Sequence, residues 1–239
     1  MEKLVYPLWK PESRAADDFR DVLVGQLGPQ LAQLEAVHGL RVTVADSAVA
    51  PAAGRLMVSH SPPPDAVLSM WVDDAGAAAD WLPFVDAQVE RRTGYLVAEA
   101  EPLVNQRTHP SAPGERVHGM CHVVFMSRPA ELDRDAWLSI WKDSHTSIAI
   151  DTQSTFGYRQ NVVVRRLTGD ALYCDAIVEE NFPPEAMSSD HAFYNTGGDE
   201  AVLQRHMTAM MESCARFIDF GKIDVIPMSE YLIKPLAGP

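Results

Sequence analysis

The chain has 239 residues, of which 46% are apolar and 22% charged, an ordinary composition for a folded globular protein. Its formal net charge of −13 argues against nucleic acids and anionic membranes as partners, because both attract clustered Lys and Arg. The first residues show no leader pattern, and no stretch reaches the roughly 18 apolar residues of a membrane span. We therefore expect a cytoplasmic protein.

The first part of the chain predicts the element order β-α-β-β-α-β. Strands are predicted at residues 4–9, 40–46, 66–74 and 94–104, and helices at 15–37 and 77–91. Gly28-Pro29 interrupts the first helix and should kink it, because proline lacks the backbone N–H that the helix needs.

The same element order begins again after a polar linker at residues 106–116. Strands are predicted at 117–126, 156–166, 172–182 and 225–233, helices at 133–151 and 201–218, and a long loop at 183–199. Pro11, Phe19 and Leu23 precede Pro129, Trp137 and Trp141 by a constant 118 positions. The sequence therefore predicts two tandem ferredoxin-like halves, residues 1–105 and 117–239.

A β-α-β-β-α-β half covers one face of its antiparallel sheet with helices and leaves the other face open. Two such halves in one chain should pack sheet to sheet as an α+β barrel, whose interior could hold a small ligand. We expect the second half to carry the site and the first half to be mainly a structural partner.

Three cysteines, Cys121, Cys174 and Cys214, are widely separated in largely apolar surroundings. An odd number in this pattern predicts reduced thiols rather than a disulfide framework. No paired-cysteine or His-Glu-x-x-His spacing supports a metal site, and no nucleotide-binding or serine-hydrolase motif occurs. We predict neither a metal nor a cofactor.

Trp137, Trp141 and His145 recur at four-residue spacing and therefore share one face of a predicted helix. Two indoles could form the walls of a pocket for a flat apolar substrate, and His145 could act as general base or acid. The alternative is that both tryptophans are core residues and His145 is a hydrogen-bonded histidine. At the offset of 118, the first half has Leu27 in place of His145.

Two strands of the second half add polar candidates. His122 shares a strand face with His118; it either lines the site or is a buried, hydrogen-bonded histidine, whereas His118 is expected near solvent. Tyr158 and Gln160 also share a strand face and could polarise a carbonyl or hold a phenolate.

Carboxylates and the long loop complete the set of candidates. Asp175 and Glu179 share a face of the next strand, where an inward carboxylate could have a raised pKa, although exposed edge charge is the commoner explanation of such a pair. His191 and Tyr194 lie in the long loop, which could act as a lid over the site.

Several of these residues occur in a recognisable order, namely Trp141-Lys-Asp-Ser-His145, Tyr158-Arg-Gln-Asn161, and then Asp175, Glu179 and Phe182. In this order residues 117–234 resemble the EthD-like branch of the dimeric α/β-barrel superfamily. The resemblance implies a cofactor-free enzyme for small aromatic, polyketide or lactone substrates, with a catalytic role for His145. Members commonly form the barrel from two chains, whereas this chain supplies both halves.

The sequence thus predicts a cofactor-independent lyase, isomerase or cyclase acting on a small hydrophobic aromatic or carbonyl compound. The predicted catalytic residues are His145, Tyr158 and Gln160, and the predicted substrate-binding residues are Trp137, Trp141, His122, Asp175 and Tyr194. One alternative, from the same superfamily, is a haem-binding barrel enzyme with His145 or His122 as axial ligand. Another is a non-catalytic protein that binds a small ligand, and the chain could form a homodimer.

Overall fold

The computed structural model describes residues 1–170 and 174–236, an α+β chain built around one closed antiparallel sheet. The strands are β1 Glu2–Trp9, β2 Val37–Val44, β3 Ala66–Val72, β4 Arg91–Arg92, β5 Tyr95–Leu103, β6 Met120–Met126, β7 Gly157–Arg166, β8 Ala176–Phe182 and β9 Ile223–Lys234. Their order is β3-β2-β9-β6-β8-β7-β5-β1-β4, and β1 also pairs with β3. That pairing closes eight strands into a barrel, with the two-residue β4 attached beside β1.

Each half of the barrel has the strand arrangement of a ferredoxin-like unit. In the first half β5 pairs with β1, β1 with β3 and β3 with β2; in the second, β9 pairs with β6, β6 with β8 and β8 with β7. The halves join where β2 pairs with β9 and β5 with β7. The prediction of two tandem ferredoxin-like halves packed as an α/β-barrel is confirmed.

Helices cover the outer face of each half. They are α1 Ala16–Val22, α2 Gly28–Ala32, α3 Leu82–Asp86, α4 Arg134–Ser139, α5 Thr146–Thr152, α6 Asp190–Phe193 and α7 Glu200–Cys214. A π-helical turn joins α1 to α2 at Leu23–Leu27, and another joins α4 to α5 at Ile140–His145. The predicted kink at Gly28-Pro29 is therefore preceded by a wider turn, in which the Gly28 N–H bonds to the Leu23 carbonyl.

Several predicted boundaries differ from the structure. The first helix ends at Ala32, because the chain must turn before Val37 pairs with Val72. The second predicted helix, 77–91, is a 3₁₀ segment, Ala75–Asp80, followed by the short α3. The long loop contains a 3₁₀ turn at Pro184–Met187 and α6. Residues 172 and 173 of the predicted strand 172–182 lie outside the described residues.

Strand β6 begins three residues later than predicted because of Gly119. This glycine has a φ of 75°, and a side chain there would collide with the carbonyl of Phe182. Only glycine adopts this conformation without cost, so it allows β6 to approach the end of β8. Met120 then pairs with Phe182, which sets the register of the two strands.

Side chains occupy much of the barrel interior, and a ligand inside the barrel stays a prediction. One part is apolar and includes Val97, Val123, Phe125, Ile177 and Met228. The other part is a network of charged and amide side chains, formed by Lys3, Arg41, Glu99, Glu101, Asn105, Arg159, Asn161, Glu179, Asn181 and Glu230.

All three cysteines are free thiols, as predicted. No helix in the described ranges combines the length and apolar character needed to cross a bilayer.

Candidate functional site

The cavity that brings the candidate residues together lies outside the barrel, between the outer face of the second-half sheet and the helices that cover it. It has a volume of about 310 Å³, at the lower end of the range typical of small-molecule sites. Its walls are mostly apolar and include four methionines, Met57, Met126, Met210 and Met211. Among the lining residues that the structure describes, Arg55 is the only Lys or Arg and Glu180 is the only Asp or Glu.

Three polar side chains form a row on the floor of this cavity. His122 on β6 pairs in register with Glu180 on β8, and Glu180 pairs with Tyr158 on β7. Residues directly opposite each other in neighbouring antiparallel strands place their side chains side by side on the same face. The sheet therefore brings an imidazole, a carboxyl and a phenol together at one level of the cavity.

His145 approaches the cavity from the helical side, at the end of the π-helical turn that follows α4. Its ring packs against Phe217 with 4.6 Å between ring centroids, and its Nδ1 lies 2.9 Å from the Ser213 hydroxyl oxygen. Arg216 donates to that same oxygen, which leaves the hydroxyl proton of Ser213 free to be donated to Nδ1. This arrangement favours the tautomer with the proton on Nε2, for which the described residues offer no partner.

Burial, and secondarily the nearby Arg216, lowers the pKa of His145 to about 4. His145 is therefore neutral at physiological pH and presents an N–H donor to a ligand. The pKa of His122 falls to about 3, because this side chain is also buried and Arg55 is close. Its Nε2 is buried with no hydrogen-bond partner among the described residues. Such an unpartnered group costs roughly 1–3 kcal/mol and is what a ligand could compensate.

Tyr158 is held by the tryptophan that was predicted to be a cavity wall. The Trp141 indole N–H donates to the Tyr158 hydroxyl oxygen over 2.9 Å, while Trp141 itself lines the cavity. Burial is the main reason that the pKa of Tyr158 is raised, so the phenol keeps its proton. With an accepted bond from the indole, the hydroxyl is left to donate towards a ligand.

Among the described residues that line the cavity, Glu180 has a carboxyl whose pKa lies near neutrality. It is partly buried, and burial raises the pKa of its carboxyl to about 7. None of the described side chains forms an ion pair with it, and the neighbouring Val178 and Cys214 offer no compensation. A carboxyl that is about half ionised at pH 7 is well matched to accepting or donating a proton.

Glu180 was not among the predicted site residues: Asp175 was selected, and Glu179 was considered with it because the two share a strand face. Glu179 points into the barrel, where Lys3 and Arg159 outweigh the effect of burial and hold its pKa well below the usual range. The signal for Glu180 was strand alternation: Val178, Glu180 and Phe182 share the helix-covered face of β8. A charged residue between two buried apolar ones on that face could have indicated the site.

The first half provides an internal reference for this cavity. By the offset of 118, His122, Tyr158 and His145 correspond to Leu4, Leu40 and Leu27, and an offset of 110 matches Glu180 to Met70. Strand pairing supports this match, because Leu4 and Leu40 both pair with Met70 as His122 and Tyr158 both pair with Glu180. All four first-half residues are buried in one apolar cluster. The second half thus carries polar groups where the same architecture otherwise packs hydrocarbon.

The first half also contributes directly to the cavity, although it was expected to be mainly structural. Its connection after β2 reaches across the molecule, where Met57 forms backbone hydrogen bonds with Val225 of β9. Arg55 lines the cavity and holds the long loop: it donates to the Ala186 carbonyl, pairs with Asp190 and lies 4.3 Å over the Phe193 ring.

Five of the eight predicted site residues line the cavity: His145, Tyr158, Trp141, His122 and Tyr194. Gln160 lies beside it, where it donates to the Thr146 hydroxyl on α5. Trp137 is fully buried in the core and donates to the Phe217 carbonyl, in agreement with the alternative interpretation. Asp175 precedes β8 and accepts from the Arg128 backbone N–H, away from the cavity.

The remaining histidine predictions fall outside the cavity. His118 is exposed, as expected, and stacks on His109 with 4.5 Å between ring centroids. His191 shares a hydrogen bond with Thr196 inside the long loop.

Comparisons with known proteins show a similarity of fold only. No protein-family model and no curated protein sequence matches the chain. Among solved structures, an anthrone oxidase-like protein matches with a TM-score of 0.54 at 8% identity, covering 99% of this chain and 95% of the other. A candidate chlorite dismutase matches with a TM-score of 0.50 at 12% identity, covering 98% and 96%. These full-length likenesses show the fold of the dimeric α/β-barrel superfamily, while membership of the EthD-like branch stays a prediction.

Proposed function

We propose that this protein is a cofactor-independent acid–base enzyme that moves a proton on a small hydrophobic aromatic or carbonyl compound, with Glu180 as the proton-transfer group. The observation that carries the proposal is the Glu180 carboxyl, which lies in an apolar cavity with a pKa of about 7 and no ion-pair partner among the described side chains. The neighbouring His122 and Tyr158 sit opposite it in register.

The chemistry follows from the protonation states. Ionised Glu180 removes a proton from a carbon next to a substrate carbonyl, and the electron pair of the C–H bond moves to give an enolate oxygen. The Tyr158 hydroxyl and the His145 Nε2–H are two donors that can stabilise that oxygen. If a further double bond is conjugated with the enolate, return of the proton from Glu180 to the far carbon re-forms the carbonyl and gives an isomer. If the carbon β to the carbonyl carries an oxygen leaving group, the enolate re-forms the carbonyl and a Cα–Cβ double bond as the C–O bond breaks, and Glu180 gives its proton to the departing oxygen.

His145 was predicted to be the general base, and that role stays a prediction. Its pKa of about 4 makes its imidazole a weak base at neutral pH, but a good neutral donor. In this proposal His145 therefore stabilises charge rather than removing the proton. Trp141 and Gln160 position the groups around Tyr158.

Deuterium exchange tests the proposal without knowledge of the natural substrate. Anthrone, a ketone with an acidic methylene group, and an aryl β-diketone are incubated in D₂O, and loss of the carbon-bound proton is followed by NMR. Glu180→Gln should lower the enzyme-dependent exchange rate by about 10²–10⁴-fold. Glu212→Gln, a matched change on the exposed face of α7, should leave it unchanged.

An exchange rate that survives Glu180→Gln would contradict the assignment of Glu180. Binding of both probes with no acceleration over buffer would favour the non-catalytic binding alternative.

The haem alternative is not supported by the donor set. A histidine that binds iron usually donates its other N–H to a carboxylate, a backbone carbonyl or water. Here the partner of His145 is the Ser213 hydroxyl, and among the described residues no carboxylate or backbone carbonyl pairs with the ring of His145 or of His122. We therefore derive no step through haem, and we expect no Soret shift when hemin is added to the purified protein.

A further inference from the structure

The mouth of the cavity is unusually apolar for a protein surface. Met57, Met211 and Phe220 all line the cavity, and they are 45%, 53% and 43% exposed. Single exposed apolar side chains are ordinary, but three that line one cavity make its solvent-exposed side apolar.

This exposure belongs to well-anchored parts of the chain. Met57 donates its backbone N–H to the Val225 carbonyl and accepts from the Val225 N–H, over 3.0 and 2.9 Å. Met211 lies within the 15-residue helix α7. Methionine side chains on a fixed backbone can adapt to ligands of different shapes, because their three side-chain torsions rotate easily.

Charge around the opening disfavours an ionic ligand. Arg55 is the only Lys or Arg among the described lining residues, and its guanidinium is already occupied by the Asp190 carboxylate and the Phe193 ring. Glu180, when ionised, repels anions from the interior. Among the described lining residues, no free cation is therefore available for a carboxylate or phosphate group.

We propose that the ligand of this cavity is longer than the cavity itself: an uncharged aromatic or carbonyl head lies beside Glu180 and Tyr158, and an extended apolar tail leaves over Met57, Met211 and Phe220. The inference rests on the proposed function for the identity of the head only. The tail assignment follows from the shape and exposure of the mouth.

Binding of 4-alkylphenols with tails from ethyl to decyl, measured by calorimetry, tests the tail assignment. Affinity should rise by about fourfold for each added methylene, and the rise should continue to tails that reach the rim. Met57→Gln and Met211→Gln should weaken binding of the long-tailed phenols at least tenfold and leave 4-ethylphenol unchanged. Val164→Gln, an equally exposed apolar residue outside the cavity, is the control.

The proposal is overturned if affinity does not depend on tail length, if the two methionine variants weaken short and long phenols alike, or if a tail ending in a carboxylate within the cavity binds as tightly as an alkyl tail. The assay needs no turnover, so it separates the two proposals. Suppose that affinity depends on tail length but deuterium exchange continues in Glu180→Gln. The proposed function would then be wrong, while the tail assignment would still be supported.

Discussion

Glu179 and Glu180 are adjacent in sequence and experience opposite electrostatic environments. Glu179 faces the barrel interior, where two cations keep its pKa well below the usual range. Glu180 faces the cavity, where burial raises its pKa to about 7 without a compensating cation. The difference arises because successive residues of a strand point to opposite faces of the sheet.

The raised pKa of Glu180 predicts a stabilising substitution. The folded protein holds this proton more tightly than the unfolded chain, whose carboxyl has a pKa of about 4.5, so ionisation costs stability as pH rises from about 4.5 to 7. Glu180→Gln should therefore raise the free energy of unfolding at pH 8 by on the order of 1–3 kcal/mol. The gain should shrink towards pH 4.5.

Urea unfolding at the two pH values measures this effect, with Glu212→Gln as the exposed control. An equal gain at pH 4.5 and pH 8 would show that Glu180 is not the group that titrates. Gain in stability together with loss of exchange activity is the trade-off expected of a residue retained for function.

At the level of single residues, the sequence indicated His145, Tyr158, Trp141, His122 and Tyr194, which the structure places around one cavity. Spacing on one helix and one strand was enough to group the aromatic and imidazole residues. It could not identify Glu180, because that requires the register between β6, β8 and β7. Register depends on long-range pairing, which a single sequence does not reveal.

Among the secondary-structure elements, the two π-helical turns separate features of the duplicated fold from features of the candidate site. π-Helical turns often mark functional sites, yet this chain has one in each half, at Leu23–Leu27 and Ile140–His145. The first turn ends at an apolar Leu27 and the second at His145. The π-helical turn therefore belongs to the duplicated fold. The side chain at its end, Leu27 or His145, is what distinguishes the half without the candidate site from the half that carries it.

The loop between β8 and α7 is held by a residue of the other half. Arg55→Ala removes the hydrogen bond to Ala186, the pair with Asp190 and the contact with Phe193. Amide hydrogen exchange across residues 184–196 should then become about tenfold faster, because one bond to a charged donor contributes roughly 1.5 kcal/mol.

Arg92→Ala is a matched control for this prediction, since Arg92 forms a similar pair with Asp86 far from the loop. Two results would show that Arg55 does not hold the loop. Amide exchange in residues 184–196 could stay unchanged in Arg55→Ala, or it could accelerate to the same extent in Arg92→Ala.

Over the whole molecule, the ion network inside the barrel links the two halves. Arg159 of the second half pairs with Glu101 of the first, and Lys3 and Arg41 of the first half pair with Glu179 and Glu230 of the second. These side chains are mostly buried, so each relies on its partners for the solvation that it has lost.

Arg159→Met should lower the free energy of unfolding by about 3–5 kcal/mol, because it leaves Glu179 and Glu230 buried with less positive charge. Lys222→Met, which breaks an exposed pair with Asp219, should cost far less, because solvent screens that pair. Urea unfolding compares the two variants, and equal losses would contradict a structural role for the network.

The same network determines how the protein responds to acid. Because the pKa of Glu179 is held below its unfolded value of about 4.5, the stability that ionised Glu179 contributes is complete above that pH and is lost as pH falls below it.

The sequence predicted the duplicated fold and the closed sheet, because the order of the elements and the repeat at an offset of 118 can be read directly from the sequence. It did not predict the ion network inside the barrel, since Lys3, Arg159 and Glu230 come together only after the halves have closed.

Direct titration of Glu180 tests the central claim. The protein is prepared with ¹³C at the glutamate side-chain carboxyls, and their chemical shifts are followed by NMR from pH 3 to pH 9, with Glu180→Gln used to assign the resonance. The account predicts one glutamate with a pKa of about 7 that is absent from the variant. A Glu180 resonance that titrates near pH 4.5 would contradict it.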